Sequence, residues 1–208
     1  MKTQQLVNYT NQTAINLPHN KYIDKVVRSN SFEELWNRFK DAESPTKEIS
    51  ESYAAFSNMK KVCQVSDYTW VHIGDGAYTR TAAIFAFFSK TLNYTIDPNI
   101  NMDKYYMWEE KYNVSNIEAN KCKFENFHSD MVVCTSYNIC CVHAHVNLEE
   151  VDKKFPDWCY LYSNPCCFSA KQTFSKAYMK DNGIQEIVNR LDLGIQSHQR
   201  KVVIYKKN

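Results

Sequence analysis

Two of the four glycines in the chain stand one residue apart, in Val71-His72-Ile73-Gly74-Asp75-Gly76-Ala77-Tyr78-Thr79-Arg80. Apolar residues precede them and a helical pattern follows. A glycine turn between a strand and a helix lets the backbone take positive φ and come close to a ligand, while the helix N-terminus offers free N–H groups. That arrangement suits a nucleotide-like molecule. The pattern is Gly-x-Gly with Thr79 where a third glycine would complete the dinucleotide fingerprint, so a tight turn without a ligand stays open as the plainer reading. Asn93-Tyr94-Thr95-Ile96-Asp97 then ends in a carboxylate 21 residues after Gly76, the spacing at which an acid at the end of the next strand reaches ribose hydroxyls.

A second reactive group lies further on. In Cys141-Val142-His143-Ala144-His145-Val146-Asn147 the thiol and both imidazoles alternate with other residues, so on a strand all three would point to one face. Such a face could supply ligands to Zn²⁺ or a similar metal. The same histidines could instead serve as general base or as hydrogen bonders that orient a substrate, or simply be satisfied polar groups at a strand end. Asn164 closes the next apolar run in Tyr160-Leu161-Tyr162-Ser163-Asn164-Pro165-Cys166-Cys167-Phe168.

These groups need a framework to bring them together, and the texture of the chain predicts one. Residues 1–30 are polar and read as an arm, with Asn-x-Ser/Thr triplets at Asn8 and Asn11 that carry little weight. Ser31-Phe32-Glu33-Glu34 has the form of a capping box and opens an amphipathic helix to Asp41. A second helix is expected over 47–61. From residue 62 short apolar runs alternate with helical segments. Strands are expected at 69–73, 93–97, 123–128, 139–146 and 158–163, with helices at 78–90, 103–112 and 148–154 and a long one at 169–190. Two last strands, 191–197 and 201–206, are joined too closely for a parallel crossover and should form a hairpin. The expected fold is α/β, a Rossmann-like doubly wound and mostly parallel sheet with a C-terminal antiparallel hairpin. An N-terminal arm and helical extension, 1–61, would precede the sheet domain, 62–208.

That order, on Gly74-Asp75-Gly76 and Asp97, resembles the class I S-adenosylmethionine-dependent methyltransferases. The resemblance implies S-adenosylmethionine as cofactor, with the backbone from Gly74 through Asp75 to Gly76 on its methionine part and Asp97 on its ribose. Asp130, after the expected third strand, would accept from the adenine amino group. The family usually has an acid two residues before the first glycine, where this chain has His72 and where Asp75 could partly compensate. His143, His145 and Asn164 would lie at the reacting methyl group, in the crevice outside the fourth and fifth strands. Asn164-Pro165-Cys166-Cys167-Phe168 is similar in part to the Asn-Pro-Pro-Tyr/Phe motif of amino-group methyltransferases and lacks its second proline. The Lys-Asp-Lys-Glu set of sugar 2′-O-methyltransferases cannot be assembled, although Lys171 could supply one lysine.

The remaining composition narrows the field. The 208 residues carry 25 Lys+Arg and 23 Asp+Glu, so no general electrostatic footprint for nucleic acid exists. The methyl acceptor, nucleic acid or small molecule, is left open, as is the oligomeric state. The longest apolar run, Ala82–Phe88, is far short of a membrane span. Met1–Asn8 has no h-region, and a cytoplasmic setting is expected. Eight cysteines at 63, 122, 134, 140, 141, 159, 166 and 167 read as reduced, mostly buried thiols. Tyr78 and Arg80 could touch a planar or anionic substrate, or be a packing ring and a solvated cation. The four tryptophans read as core residues, since no basic residues interleave with them. Two alternatives to the enzyme remain, a catalytically silent methyltransferase-like scaffold and a metal-dependent hydrolase built on the His143-x-His145 strand.

Overall fold

Strand residues that alternate between two apolar faces force a sheet with cover on both sides, and the sheet of this chain is covered on both. The computed structural model describes residues 3–6, 15–134, 136–165 and 172–208. Asn8, Asn11, Cys166, Cys167, Phe168 and Lys171 lie outside them. Their elements in chain order are β1 (Thr3–Leu6), β2 (Ile15–Pro18), α1 (Lys21–Val27), α2 (Phe32–Phe39), α3 (Pro45–Met59), β3 (Thr69–Ile73), α4 (Arg80–Ser89), β4 (Asn93–Ile96), α5 (Met102–Tyr112), β5 (Ile117–Asn120), β6 (Tyr137–Val142), α6 (Leu148–Lys154), β7 (Trp158–Asn164), α7 (Lys176–Asp181), β8 (Ile184–Leu191) and β9 (Lys201–Lys207).

Seven strands form one sheet in the order β5-β4-β3-β6-β7-β9-β8. The first five run parallel, and β9 enters antiparallel between β7 and β8. Trp70, Cys140, Tyr162, Val202 and Ile204 point to a layer that contains α3 and α4 and residues of α1, α2 and α5. Val71, Ile73, Ile139, Cys141, Leu161, Val203 and Tyr205 point to the other, closed by Leu148, Val151 and Phe155 around α6 and by Phe124, Phe127 and Phe174. The chain is therefore a Rossmann-like α/β protein with a C-terminal antiparallel hairpin. No helix among the described residues is long and apolar enough to cross a membrane.

Several expected elements differ, each for a local reason. The N-terminal segment read as an arm carries a β1–β2 antiparallel pair and α1. Ser31 makes no side-chain cap bond at the start of α2. The third strand is 117–120, not 123–128: it is a short edge with little apolar pattern, while Phe124 and Phe127 plug the far face from a 3₁₀ turn. The fourth strand stops at Val142 because His143 takes φ +53°. The expected helix over 169–190 is α7 followed by β8, with Gly183 at φ +65° making the break. A register shift between Glu186 and Val188 disturbs the alternation of β8, which is why Ile184, Ile187, Val188 and Leu191 look helical in spacing. Residues 192–200 are then the connection of the hairpin and not a strand.

Candidate functional site

The chain leaves β3 to build β4 and β5 on one side and returns to build β6 on the other, so the order reverses between β3 and β6. Open α/β sheets bind ligands at that switch point, outside the carboxyl ends of the strands. A cavity of about 290 Å³ lies there, lined by Gly74, Asp75 and Gly76 after β3, by Val142, His143 and His145 after β6, and by Lys47, Glu48, Glu51 and Ser52 of α3.

Each glycine of the turn has its own task. Gly74 has φ +73° and donates its N–H to the Ile96 carbonyl at 2.9 Å. A Cβ there would lie 2.9 Å from Ala144. Gly76 has φ +72°, and among the described residues nothing lies within 4 Å of the place a Cβ would take. It leaves the open approach that a bound ligand needs. Its N–H donates to Asp97 Oδ2 at 2.9 Å, and the Asn99 N–H donates to Asp97 Oδ1 at 2.7 Å. Both carboxylate oxygens keep a further lone pair for a hydroxyl.

Asp75 works on the helix. Its oxygens accept from the Thr81 N–H at 2.7 Å and the Ala82 N–H at 2.9 Å. This caps α4, whose own N-cap Thr79 sits at φ 49° and makes no side-chain cap bond. His72 faces the helical layer. It is fully buried against the Phe85 ring, its Nε2 lies 2.9 Å from Asn93 Oδ1, and burial pushes its pKa below the usual histidine value.

After β6 the chain turns sharply. His143 N–H donates to the Asn164 carbonyl at 3.0 Å, and Gln172 Nε2 donates to the Ala144 carbonyl at 3.0 Å. The strand alternation expected for Cys141, His143 and His145 ends at Val142. Cys141 points into the far core, where burial pushes its thiol up to about 12, while His143 and His145 line the cavity. No group of three or more His, Cys, Asp or Glu side chains that could hold a metal ion occurs among the described residues.

Asn164 is fully buried and spends its Nδ2 on the carbonyls of Gln199 and Lys201, at 3.3 and 2.7 Å. Its Oδ1 has no hydrogen-bond partner among the described residues. Asp130 lies in the 3₁₀ turn Ser129–Met131 and lines a separate cavity with His128, Lys153 and Lys154.

Sequence reasoning missed Glu51. It sits on α3, 2% exposed, with Oε1 2.9 Å from His143 Nε2 and Oε2 3.9 Å from Lys47 Nζ. The His143 contact is close yet out of line for a hydrogen bond, so neither atom has its full complement of partners. An acid inside a helix with Ile49, Tyr53, Phe56 and Met59 on its packed face was the available signal.

No known family profile and no curated protein match this sequence. Solved structures do. The N-terminal domain of human METTL16 in complex with SAH matches with a TM-score of 0.54 at 13% identity, over 80% of this chain and 71% of that one. A METTL16 MTase domain matches at 0.52 and 13% identity over 73% of this chain, which spans 66% of its length. Magnesium protoporphyrin IX methyltransferase (ChlM) from Synechocystis with bound SAH matches at 0.51 and 11% identity, over 89% of this chain and 98% of that one. Together with the strand order, these likenesses show that the chain has the Rossmann-like fold of the methyltransferase structures it matches.

Proposed function

We propose that the chain binds S-adenosylmethionine and transfers its methyl group to an acceptor, either a small molecule or a nucleic acid, brought to His143 and His145. One observation carries the reading. Gly76 and Asp97, at the ends of adjacent strands, are joined at 2.9 Å beside the switch-point cavity, with open space over Gly76 among the described residues. The residues fit the cofactor. The backbone from Gly74 to Gly76 would hold the methionine part, and Asp97, buried at 7% exposure next to Gly76, would take the ribose. The three acids of the cavity, Glu48, Glu51 and Asp75, outnumber its two cations, Lys47 and Arg80, and that balance suits a sulfonium. When bound, the cofactor supplies an activated methyl group, and the protein supplies mainly proximity and orientation. Asp130 lines another cavity and has no part in this proposal. Asn164 contributes by holding the His143 turn and β9 together.

A second reading, the silent scaffold, is favoured by the use of both Asp97 and Asp75 carboxylates on loop and helix amides. Calorimetric titration with S-adenosylmethionine and S-adenosylhomocysteine separates the two. A micromolar constant, about 8 kcal/mol, lost in Asp97→Ala while the variant still melts cooperatively, is the enzyme's result. No heat at millimolar ligand leaves the scaffold.

A further inference from the structure

Four buried polar atoms without a hydrogen-bond partner among the described residues, Glu51 Oε1, His143 Nε2, Tyr162 Oη and Asn164 Oδ1, lie on α3 and at the carboxyl ends of β6 and β7. Buried polar atoms are nearly always satisfied, so such a group calls for an explanation, and a functional site is one. Two of them face each other: the Glu51 carboxylate, 2% exposed, is 2.9 Å from the imidazole of His143, whose side chain is 22% exposed and borders the cavity. His143 is held there at φ +53°, a conformation that costs a non-glycine residue about 1–3 kcal/mol and that clusters at functional sites. Lys47 Nζ lies 3.9 Å from the other Glu51 oxygen, and Arg80 is engaged with Glu48 at 3.3 Å.

We propose that Glu51 is the positioning residue that makes His143 the general base for a methyl acceptor bearing a phenolic hydroxyl. This rests on the methyltransferase reading. A small rotation aligns Nε2–H with Glu51 Oε1, as catalytic hydrogen bonds often do only in the loaded enzyme, and leaves Nδ1 as the free lone pair. A carboxylate acceptor has no proton to give, and a neutral amine attacks with its own lone pair. A hydroxyl needs its proton taken as it attacks, and a phenol, with a pKa of about 10, is close enough to imidazole for that. The O–CH₃ bond forms as the methyl–sulfur bond breaks, and that electron pair stays on sulfur as the thioether of S-adenosylhomocysteine. The hydroxyl proton passes to His143 Nδ1, and Glu51 stabilises the imidazolium.

The test uses the full chain, alone and with S-adenosylhomocysteine, and begins with ¹H–¹⁵N spectra of the imidazole protons. An exchange-protected Nε2–H signal is expected, lost in His143→Gln and in Glu51→Ala and regained in Glu51→Asp. Labelled methyl transfer to catechol should fall in kcat about 100-fold in Glu51→Ala, with KM for S-adenosylmethionine within twofold, and recover in part in Glu51→Asp. Absence of the protected signal from the native chain, or an unchanged kcat in Glu51→Ala, overturns the pair. Binding of S-adenosylhomocysteine without transfer to catechol overturns the phenol assignment. A protected signal in a chain that binds no S-adenosylhomocysteine overturns the methyltransferase reading instead, and leaves the pair as a structural contact.

Discussion

Gly74 and Ala144 meet backbone to backbone: a methyl group on Gly74 would lie 2.9 Å from both Cα and Cβ of Ala144. The glycine turn is thereby seated against the loop that carries His143 and His145, and the distance between the two halves of the cavity is set by the lack of one side chain. Gly74→Ala must push that loop away and also hold alanine at φ +73°. The expected loss is about 2–4 kcal/mol in urea denaturation, from overpacking and strain together. Gly76→Ala meets only the φ penalty, about 1 kcal/mol, since the space beside it is open. Equal losses in the two variants would contradict this division of labour.

Asp75 is placed to cap α4, with one carboxylate oxygen on each of the Thr81 and Ala82 amides. Asp75→Ala should cost about 1–2 kcal/mol of stability. Asp75→Asn keeps one acceptor and should lose less. The far-ultraviolet circular dichroism melt of both variants reads this, and a cost no greater than that of a surface substitution would remove the cap from the account.

How much of this was legible beforehand differs from residue to residue. Gly74, Gly76 and Asp97 were readable because backbone freedom and strand-end spacing are local properties, and β3 came out at 69–73 as its apolar run predicts. His143 and His145 were found by type, yet their strand alternation was wrong. The positive φ that ends β6 goes with the tertiary seating of Ala144 on Gly74 and of His143 on Asn164, which no local pattern encodes. β5 and β8 were misplaced because each is a sheet edge with one exposed side, where hydrophobic periodicity carries little information. Glu51 was overlooked for a different reason. Its partner is 92 residues away in the chain, and an acid on a helix usually faces water.

Arg38 shows what holds the far side of the glycine turn. The guanidinium is 2% exposed and lies 4.6 Å from the Trp108 ring centre. It donates to the carbonyls of Tyr78 and Lys104 and to Thr79 Oγ1, at 2.7, 3.3 and 2.9 Å. Burial pulls its pKa down to about 10, so it stays charged at neutral pH. Arg38→Ala leaves those acceptors short of donors and opens a cavity, and about 3 kcal/mol or more should be lost. Arg38→Lys keeps the charge but not the planar fork, and should recover only part of it. Full recovery in a denaturant titration would show that charge alone is what the site requires.

Asp192 ties the β8–β9 connection to the helix that carries Glu51. It accepts from Tyr22 Oη of α1 at 2.5 Å, from Asn58 Nδ2 of α3 at 2.8 Å, from the Gly194 N–H at 3.0 Å and from Lys21 Nζ at 3.2 Å. Burial alone would push the carboxyl up, but these four donors outweigh it and hold the group down at about 2, below its ordinary 3.8. A carboxyl depressed on folding binds its proton more readily in the unfolded chain. Its stabilisation is therefore complete above about pH 4 and is lost as pH falls through about 2, and a depression of this size is worth about 2 kcal/mol. Urea denaturation of the native chain at pH 5, 3 and 2 should show that loss, and Asp192→Asn should start lower at pH 5 and fall less steeply. Parallel curves for the two chains would mean that Asp192 titrates alike in folded and unfolded states, and that α3 is anchored to the hairpin by packing alone.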